Sequence, residues 1–485
     1  MNAPHHLRPA LSPAEIRSIL FGLIAAMLLA ALDQTIVATA LPTIGRELGD
    51  VENLPWIVTA YLLASTAVTP LYGKLSDIHG RRVMLLIAIS TFSIGSMFCA
   101  FAPSMIALAL ARGLQGIGGG GLIALAQTIL ADILSPKERA RYQVYVASVF
   151  VTSSLAGPLL GGFLAQHLHW SFIFWINLPI GLLAYWLTNA KLKLLPRNER
   201  RHRLDYAGSV LLVVGSSALM LALNWGGVSY PWNSAPVIGL LALGALASGG
   251  FVARLMTAAE PLIPLNVLKD QVVYTATLSA CFAMGTLIGL TIYVPLFLEG
   301  VLGMEPSRSG VAMVPLMVGT VVGATMSSRS MMYFRHYKRV PIAMLAVSCV
   351  CCAVIAMKGA ALSLWLIEAL FVLLSMGIGT VLPLSTITIQ NTVERHQLGI
   401  ATASMNFFRS LGGALIVAVF GTIVLGGAAG GETAAGHGIA SLIHGSDAAR
   451  LAETFRLIFA AACIGLVLAL VFLTIMEERP LRTSA

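Results

Sequence analysis

Residues 18–41 read SILFGLIAAMLLAALDQTIVATAL, a run of 24 residues that holds a single charge, Asp33. A helix rises 1.5 Å per residue, so this run spans about 36 Å. That exceeds a bilayer core of roughly 30 Å, for which about 20 apolar residues suffice. Its apolar character is continuous and does not alternate every second residue, the pattern of a membrane helix and not of a barrel strand. Thirteen further stretches read the same way: 55–73, 82–102, 104–131, 142–166, 172–190, 206–225, 235–256, 272–298, 308–328, 339–357, 362–385, 397–425 and 456–476. Fourteen spans use nearly all of the 485 residues. Composition agrees, since 57% hydrophobic and 11% charged residues leave too little polar surface to clothe a water-soluble globule. The predicted fold class is an all-α membrane protein.

The net charge of +9 raises the question of a nucleic-acid partner, and its distribution answers it. With the N-terminus on the cytoplasmic side, inward segments hold 23 of the 30 Lys and Arg residues. Outward segments hold Arg46, Arg308, Lys358, Arg450 and Arg456, and Arg112 and Arg409 lie inside spans. This alternation is the positive-inside pattern, so both chain ends are expected in the cytoplasm and no nucleic acid as partner. The densest run, KLKLLPRNERRHR at 191–203, reads as a topology anchor near anionic lipid.

Counting gives six spans, a charged connector, two extra spans and six more. The expected layout is an N-terminal six-helix bundle over 1–190, a basic connector with two inserted helices over 191–271, and a C-terminal six-helix bundle over 272–485. The Gly- and Ala-rich outward segment 426–450 reads as flexible. The first apolar run is too long for a signal-peptide core, so span 1 is expected to stay.

Several chemistries find no support. No GxxxxGK[ST] occurs, so ATP is not expected to power this chain by itself. GIGGGG at 116–121 matches GxGxxG but lies inside a span, where it reads as small-residue helix packing. The cysteines (Cys99, Cys281, Cys349, Cys351, Cys352, Cys463) all fall in apolar helices without metal-ligand spacing. His167 and His169 have no zinc-like arrangement with a nearby Glu. An enzyme, a metal and a cofactor are therefore not expected.

The charges inside the spans are the informative residues. By helix rise, Asp33 lies about 22 Å from the cytoplasmic end of span 1, and Arg112 of the antiparallel span 4 and Pro158 of span 5 both come to about 24 Å. A carboxylate at such depth faces water, pairs with a cation or takes up a proton, which makes it a functional candidate. Alternation between an apolar setting and a guanidinium neighbour is a way to bind and release a proton. A fixed ion pair between spans 1 and 4 is the bland alternative. Arg409 in span 13 lies about 18 Å deep, as a substrate contact or a carbonyl-bonded structural residue, and Glu368, about 9 Å from the outer end of span 12, is a second candidate for protonation. Gln34, Tyr61, Gln115, Gln127, Asn406 and Phe407 are polar or aromatic residues at middle depth and join Arg409 as cavity candidates.

GKLSDIHGRRVML at 73–85 resembles the signature loop of the major facilitator superfamily, G-x-L-x-D-R-x-G-R-[KR]. Gly73, Leu75, Asp77, Gly80, Arg81 and Arg82 match, and Ile78 replaces the usual first basic residue. The resemblance implies a loop that latches one conformation; Gly73 and Gly80 allow a tight turn, and Asp77 is suited to an arginine or a helix N-terminus. LDQTIVATALPTI (32–44), ARGLQGIGGGG (111–121), AGPLLGGFL (156–164) and WSFIFWINLPIG (170–181) resemble motifs of the fourteen-span drug:proton antiporters in spans 1, 4, 5 and 6. The span 5 resemblance implies export, with Gly157, Gly161 and Gly162 permitting close helix contact and Pro158 permitting a bend. The loop SSRSMMYFRHYKR (327–339) keeps the basic charges but lacks the aspartate and glycines, so the two halves are unequal.

The expectation is a proton-coupled antiporter of the inner or plasma membrane that expels amphipathic, cationic or aromatic compounds. Asp33 and Arg112 would couple it to protons. An exporter of one defined metabolite or antibiotic is the main competitor, followed by an uptake carrier; any accessory efflux partner is open.

Overall fold

A computed structural model describes residues 13–50, 53–194, 204–227, 229–428 and 448–481. Residues 195–203 of the basic connector and 429–447 of the Gly-rich segment lie outside the described residues. The helices are α1 (Pro13–Leu48), α2 (Trp56–His79), α3 (Arg81–Ala100), α4 (Met105–Ile133), α5 (Pro136–His167), α6 (Phe172–Trp175), α7 (Asn177–Lys191), α8 (Tyr206–Trp225), α9 (Ala235–Thr257), α10 (Leu265–Lys269), α11 (Gln271–Gly300), α12 (Pro306–Ala312), α13 (Val314–Tyr333), α14 (Arg339–Lys358), α15 (Leu364–Thr392), α16 (Leu398–Ala428) and α17 (Ala448–Ile475).

Thirteen helical segments among the described residues are long and apolar enough to cross a membrane. The fourteenth expected span, α2, has 24 residues but does not join them. The reason is its buried polar content: Thr59, Thr66, Thr69, Lys74, Ser76 and Asp77 all face neighbouring helices. Two expected spans are broken by proline. Pro179 has no N–H for the carbonyl four residues back, and the sixth span divides at Ile176 into α6 and α7. Pro315 likewise separates α12 from α13 at Met313.

The first six spans bury two apolar clusters, one around Leu23, Met27, Phe92 and Leu125, the other around Ile36, Ile57, Met105 and Trp170. The glycine run of α4 works as packing surface: a Cβ on Gly118 would come 2.3 Å from Phe92 N, and one on Gly120 would come 2.3 Å from Ser65 O. Only hydrogen fits, so α4 lies close against α2 and α3. The last six spans share one core built on Phe297, Phe371, Phe420, Phe455 and Phe459. Between them α9 packs on α8, and α8 lies over α2 and α16, where Leu212, Phe251 and Leu255 meet Ile400 and Phe407.

The two bundles are joined where Arg81, Arg139 and Lys338 gather, here called the basic end. Gly73 of α2 meets α16 so closely that a Cβ would lie 2.5 Å from Ala403 Cβ. Asp77 Oδ2 accepts from Ile400 N at 3.1 Å, so a side chain of α2 serves the first turn of α16. Arg139 Nη1 donates to Gln390 Oε1 at 2.5 Å and Asn406 Nδ2 to Gln127 Oε1 at 3.0 Å. By contrast α1 and α11 are not closely packed against each other.

Candidate functional site

Asp33 lies in the middle of α1 and is fully buried, as is Arg112 of α4. Arg112 Nη1 donates to Asp33 Oδ2 at 2.6 Å and to Gln115 Oε1 at 2.6 Å. Its Nε donates to the carbonyl of Ile57 at 3.0 Å. The other carboxylate oxygen, Asp33 Oδ1, accepts from Gln115 Nε2 at 2.8 Å and from Asn177 Nδ2 at 2.9 Å. Ser96 Oγ accepts from the same two amides at 3.2 and 3.0 Å, and donates to Phe174 O at 3.0 Å. The Tyr61 ring covers the guanidinium, with 4.3 Å from Arg112 Cζ to the ring centroid. Residues of six helices, α1, α2, α3, α4, α6 and α7, thus converge on one ion pair. Burying two charges costs several kcal/mol per ion unless each is paired and hydrogen-bonded, and here both carboxylate oxygens are.

The cage depends on the break at Pro179. It starts α7 at Asn177, which brings that amide onto Asp33 while Phe174 of α6 offers a carbonyl to Ser96. Ser96 and Asn177 were missed in the sequence reading, although each is a polar residue deep in an apolar run. Tyr61 and Gln115, expected to line a cavity, are walls of this cage instead, 1% and 0% exposed.

The other predicted residues fall elsewhere. Gln34 is exposed next to the cage. Gln127 and Asn406 bond to each other across the seam between the bundles, where Gln390 Nε2 also reaches Gln127 O at 3.3 Å. Phe407 corrects the expectation of a cavity residue: it packs into the apolar cluster with α8 and α9, because it lies about 100° round α16 from Asn406. Glu368 sits in the first turns of α15, half-buried and without a hydrogen bond or ion pair to any described residue. Arg409 is half-buried in α16 and likewise unpaired among the described residues.

Gly157 and Gly161 of α5 lie on α1: added Cβ atoms would meet Thr35 Oγ1 at 2.0 Å and Thr39 Oγ1 at 2.3 Å. Gly162 does not share this contact, since a Cβ there meets nothing within 4 Å; it lies on another side of the helix. Thr35 Oγ1 donates to Ser153 O at 2.8 Å, tying α1 to α5 one turn before Pro158.

In the α2–α3 loop Gly80 takes φ +94°, the turn its lack of a side chain permits. Arg81 Nη1 pairs with Asp77 at 2.5 Å, its Nε with Asp132 of α4 at 2.8 Å, and Arg82 Nη2 donates to Asn189 Oδ1 at 2.5 Å. In the α13–α14 loop the missing carboxylate comes from the far end of the chain. Glu478 accepts from Lys338 N at 3.0 Å and faces His336 Nδ1 at 3.2 Å, while Tyr337 donates to Arg479 O at 2.7 Å. Burial pulls the Lys338 ammonium below the ordinary lysine range, and the Glu478 carboxylate pushes it back up.

Residues 23–417 match the Major Facilitator Superfamily. A multidrug transporter protein, MdtP of Bacillus subtilis (strain 168), is 32% identical over 416 residues, 84% of this chain and 75% of that protein. Multidrug resistance protein 3 of the same organism is 33% identical over 413 residues, 84% of this chain and 80% of its own. Among solved structures the human organic anion transporter MFSD10 superposes with a TM-score of 0.64 at 16% identity, covering 94% of this chain and 100% of that one, a likeness of fold.

Proposed function

Because the chain belongs to the Major Facilitator Superfamily, we propose that this multi-pass membrane transporter, which is not an enzyme, is a proton-coupled antiporter exporting amphipathic organic compounds. The basic end is placed in the cytoplasm, with both chain ends on that side of an inner or plasma membrane. α2 counts as a crossing, giving fourteen spans as in the drug:proton antiporters, with bundles over 1–190 and 272–485 and an insert over 191–271.

The reading rests on Asp33, a carboxylate with no exposure, held by Arg112 in the middle of a membrane bundle. A carboxyl in apolar surroundings keeps a proton, and a guanidinium beside it expels the proton. Motion of α1 against α4 moves Asp33 between the two settings. α5 supplies that motion: it is fixed to α1 at Thr35, two residues beyond Asp33, and lacks a backbone bond at Pro158. As the bundles alternate, Asp33 takes a proton from outside and gives it up inside in exchange for substrate. The α2–α3 latch on α16, through Gly73, Asp77, Gly80, Arg81 and Arg82, holds the basic end closed during the outward-facing part of the cycle. Two relatives named for multidrug transport or resistance favour a broad substrate range over a single metabolite.

In everted vesicles with an imposed pH gradient, Asp33→Asn is expected to abolish dye efflux at matched protein level; unchanged efflux sinks the carrier role. A fixed structural pair is the second reading, favoured by the full hydrogen-bonding of both carboxylate oxygens. It requires that the doubly neutral variant Asp33→Asn, Arg112→Gln still transport against a gradient.

A further inference from the structure

We infer that Arg409 is the anion-recognising residue of the substrate cavity, and that the exported compounds include amphipathic organic acids, with a carboxylate or sulfonate on an apolar body. This rests on the export reading and names its substrate class.

The deep arginines of this protein are otherwise matched. Arg112 holds Asp33, Arg81 holds Asp77 and Asp132, and Arg139 holds the Gln390 amide oxygen. Arg409 has no hydrogen bond or ion pair to a described residue, and its nitrogens are not among the buried unsatisfied atoms, so the guanidinium opens onto accessible space. It lies about 17 Å from the start of α16, too deep to meet lipid headgroups. A guanidinium is always charged and carries five donors, and none of them is taken by a described residue here.

The register of α16 says which space this is. Gly412 faces Cys281 of α11, and Ile416 faces Gly285 of the same helix. Thr402 accepts from Gln390 of α15, and Asn406 donates to Gln127 of α4. Gly399 and Ala403 face Gly73 of α2, and Phe407 and Leu411 face the inserted helices. At about 100° per residue, Arg409 falls between the α11 side and the α4 side, within about 20° of Thr402. It therefore looks into the space between the bundles, one turn beyond the Asn406–Gln127 contact that closes the basic end.

No acidic group among the described residues forms an ion pair with it. Both Asp33 oxygens are taken, Asp77 and Asp132 serve Arg81 at the basic end, and Glu299 accepts from Ser309 at the other end. The α11 side offers apolar surface: a Cβ on the neighbouring Gly413 would touch Ile288 at 3.0 Å. One unpaired cation beside apolar walls selects an amphipathic anion, which a planar guanidinium binds through two parallel bonds.

The test is equilibrium binding to purified protein in nanodiscs, at one pH and without any gradient, so that a failure of proton coupling leaves it intact. The probes are anilinonaphthalene sulfonate, counted as saturable binding above empty nanodiscs, and ethidium. For Arg409→Gln the sulfonate should bind about tenfold more weakly, the loss of one charge-assisted hydrogen bond. Ethidium should bind as well as to the parent, and Arg409→Lys should recover part of the sulfonate affinity. The inference is overturned if the parent shows no saturable sulfonate binding, if Arg409→Gln leaves it unchanged, or if both probes weaken together. Unaltered thermal unfolding of Arg409→Gln separates lost recognition from lost folding.

Discussion

Two arginines lie deep in this bundle and are treated in opposite ways. Arg112 is enclosed, with a carboxylate at 2.6 Å, a backbone carbonyl at 3.0 Å and an aromatic face over it. Arg409 has open space and no partner among the described residues. Both cost free energy to bury, and only the first has the cost offset from within. A cation neutralised by the protein can hold and release an internal proton site, whereas a cation left open can act only on something that arrives. Under the proposed mechanism this difference would divide the proton work from the substrate work between the N-terminal and C-terminal bundles.

The comparison breaks most sharply at the matched site. Arg112→Gln leaves Asp33 buried without its cation, which should destabilise by about 3–5 kcal/mol. Thermal unfolding in detergent checks this, and the pH dependence of substrate binding should shift with it. The same loss applies to Asp33→Asn, so its expression is expected to fall, against the intact insertion that a solvent-facing carboxylate would have allowed. Arg409→Gln removes no partner among the described residues, and its unfolding temperature should stay within the error of the parent; a loss near that of Arg112→Gln would erase the contrast.

Between these extremes stands the seam. Gly73→Ala puts a Cβ 2.5 Å from Ala403 Cβ and 2.7 Å from Gly399 O, an overpacking of about 1–3 kcal/mol. It should part α2 from α16 at the basic end, read as a lower yield of a cysteine cross-link between their ends. A smaller effect than that of the seam belongs to the other bundle's loop. Glu478→Gln weakens a partly exposed contact to His336 and Lys338 and should cost at most about 1 kcal/mol. Its readout is faster hydrogen exchange at the Lys338 amide with the α2–α3 loop unchanged.

The latch loop shows how far local sequence carries. Gly73, Asp77, Gly80 and Arg81 are legible as a spaced motif; Gly73, Asp77 and Arg81 each have a close partner, and Gly80 takes a φ of +94° with nothing packed against it. The equivalent loop of the second bundle read as incomplete for want of an aspartate. Its carboxylate is Glu478, about 140 positions away in the chain, and no spacing rule reaches that far. Gly162 and Phe407 were misread for a related reason: residue type told their depth, but the direction each faces is set by which helix happens to pack there.

The breaks before Pro179 and Pro315 came with the structure, whereas what the sequence determined by itself was the length and apolarity of the helices and the presence of Asp33, Arg112 and Arg409 at depths where charge is costly. These follow from the rise of a helix and the thickness of a bilayer, both local matters. Only the tertiary structure decided which charges are neutralised. Asn177 reaches Asp33 across 144 positions and Gln115 across 82, and no described residue bonds to Arg409. Hydrogen bonds and ion pairs act over about 3 Å, so the partner of a buried polar group is fixed by helix packing and not by order along the chain.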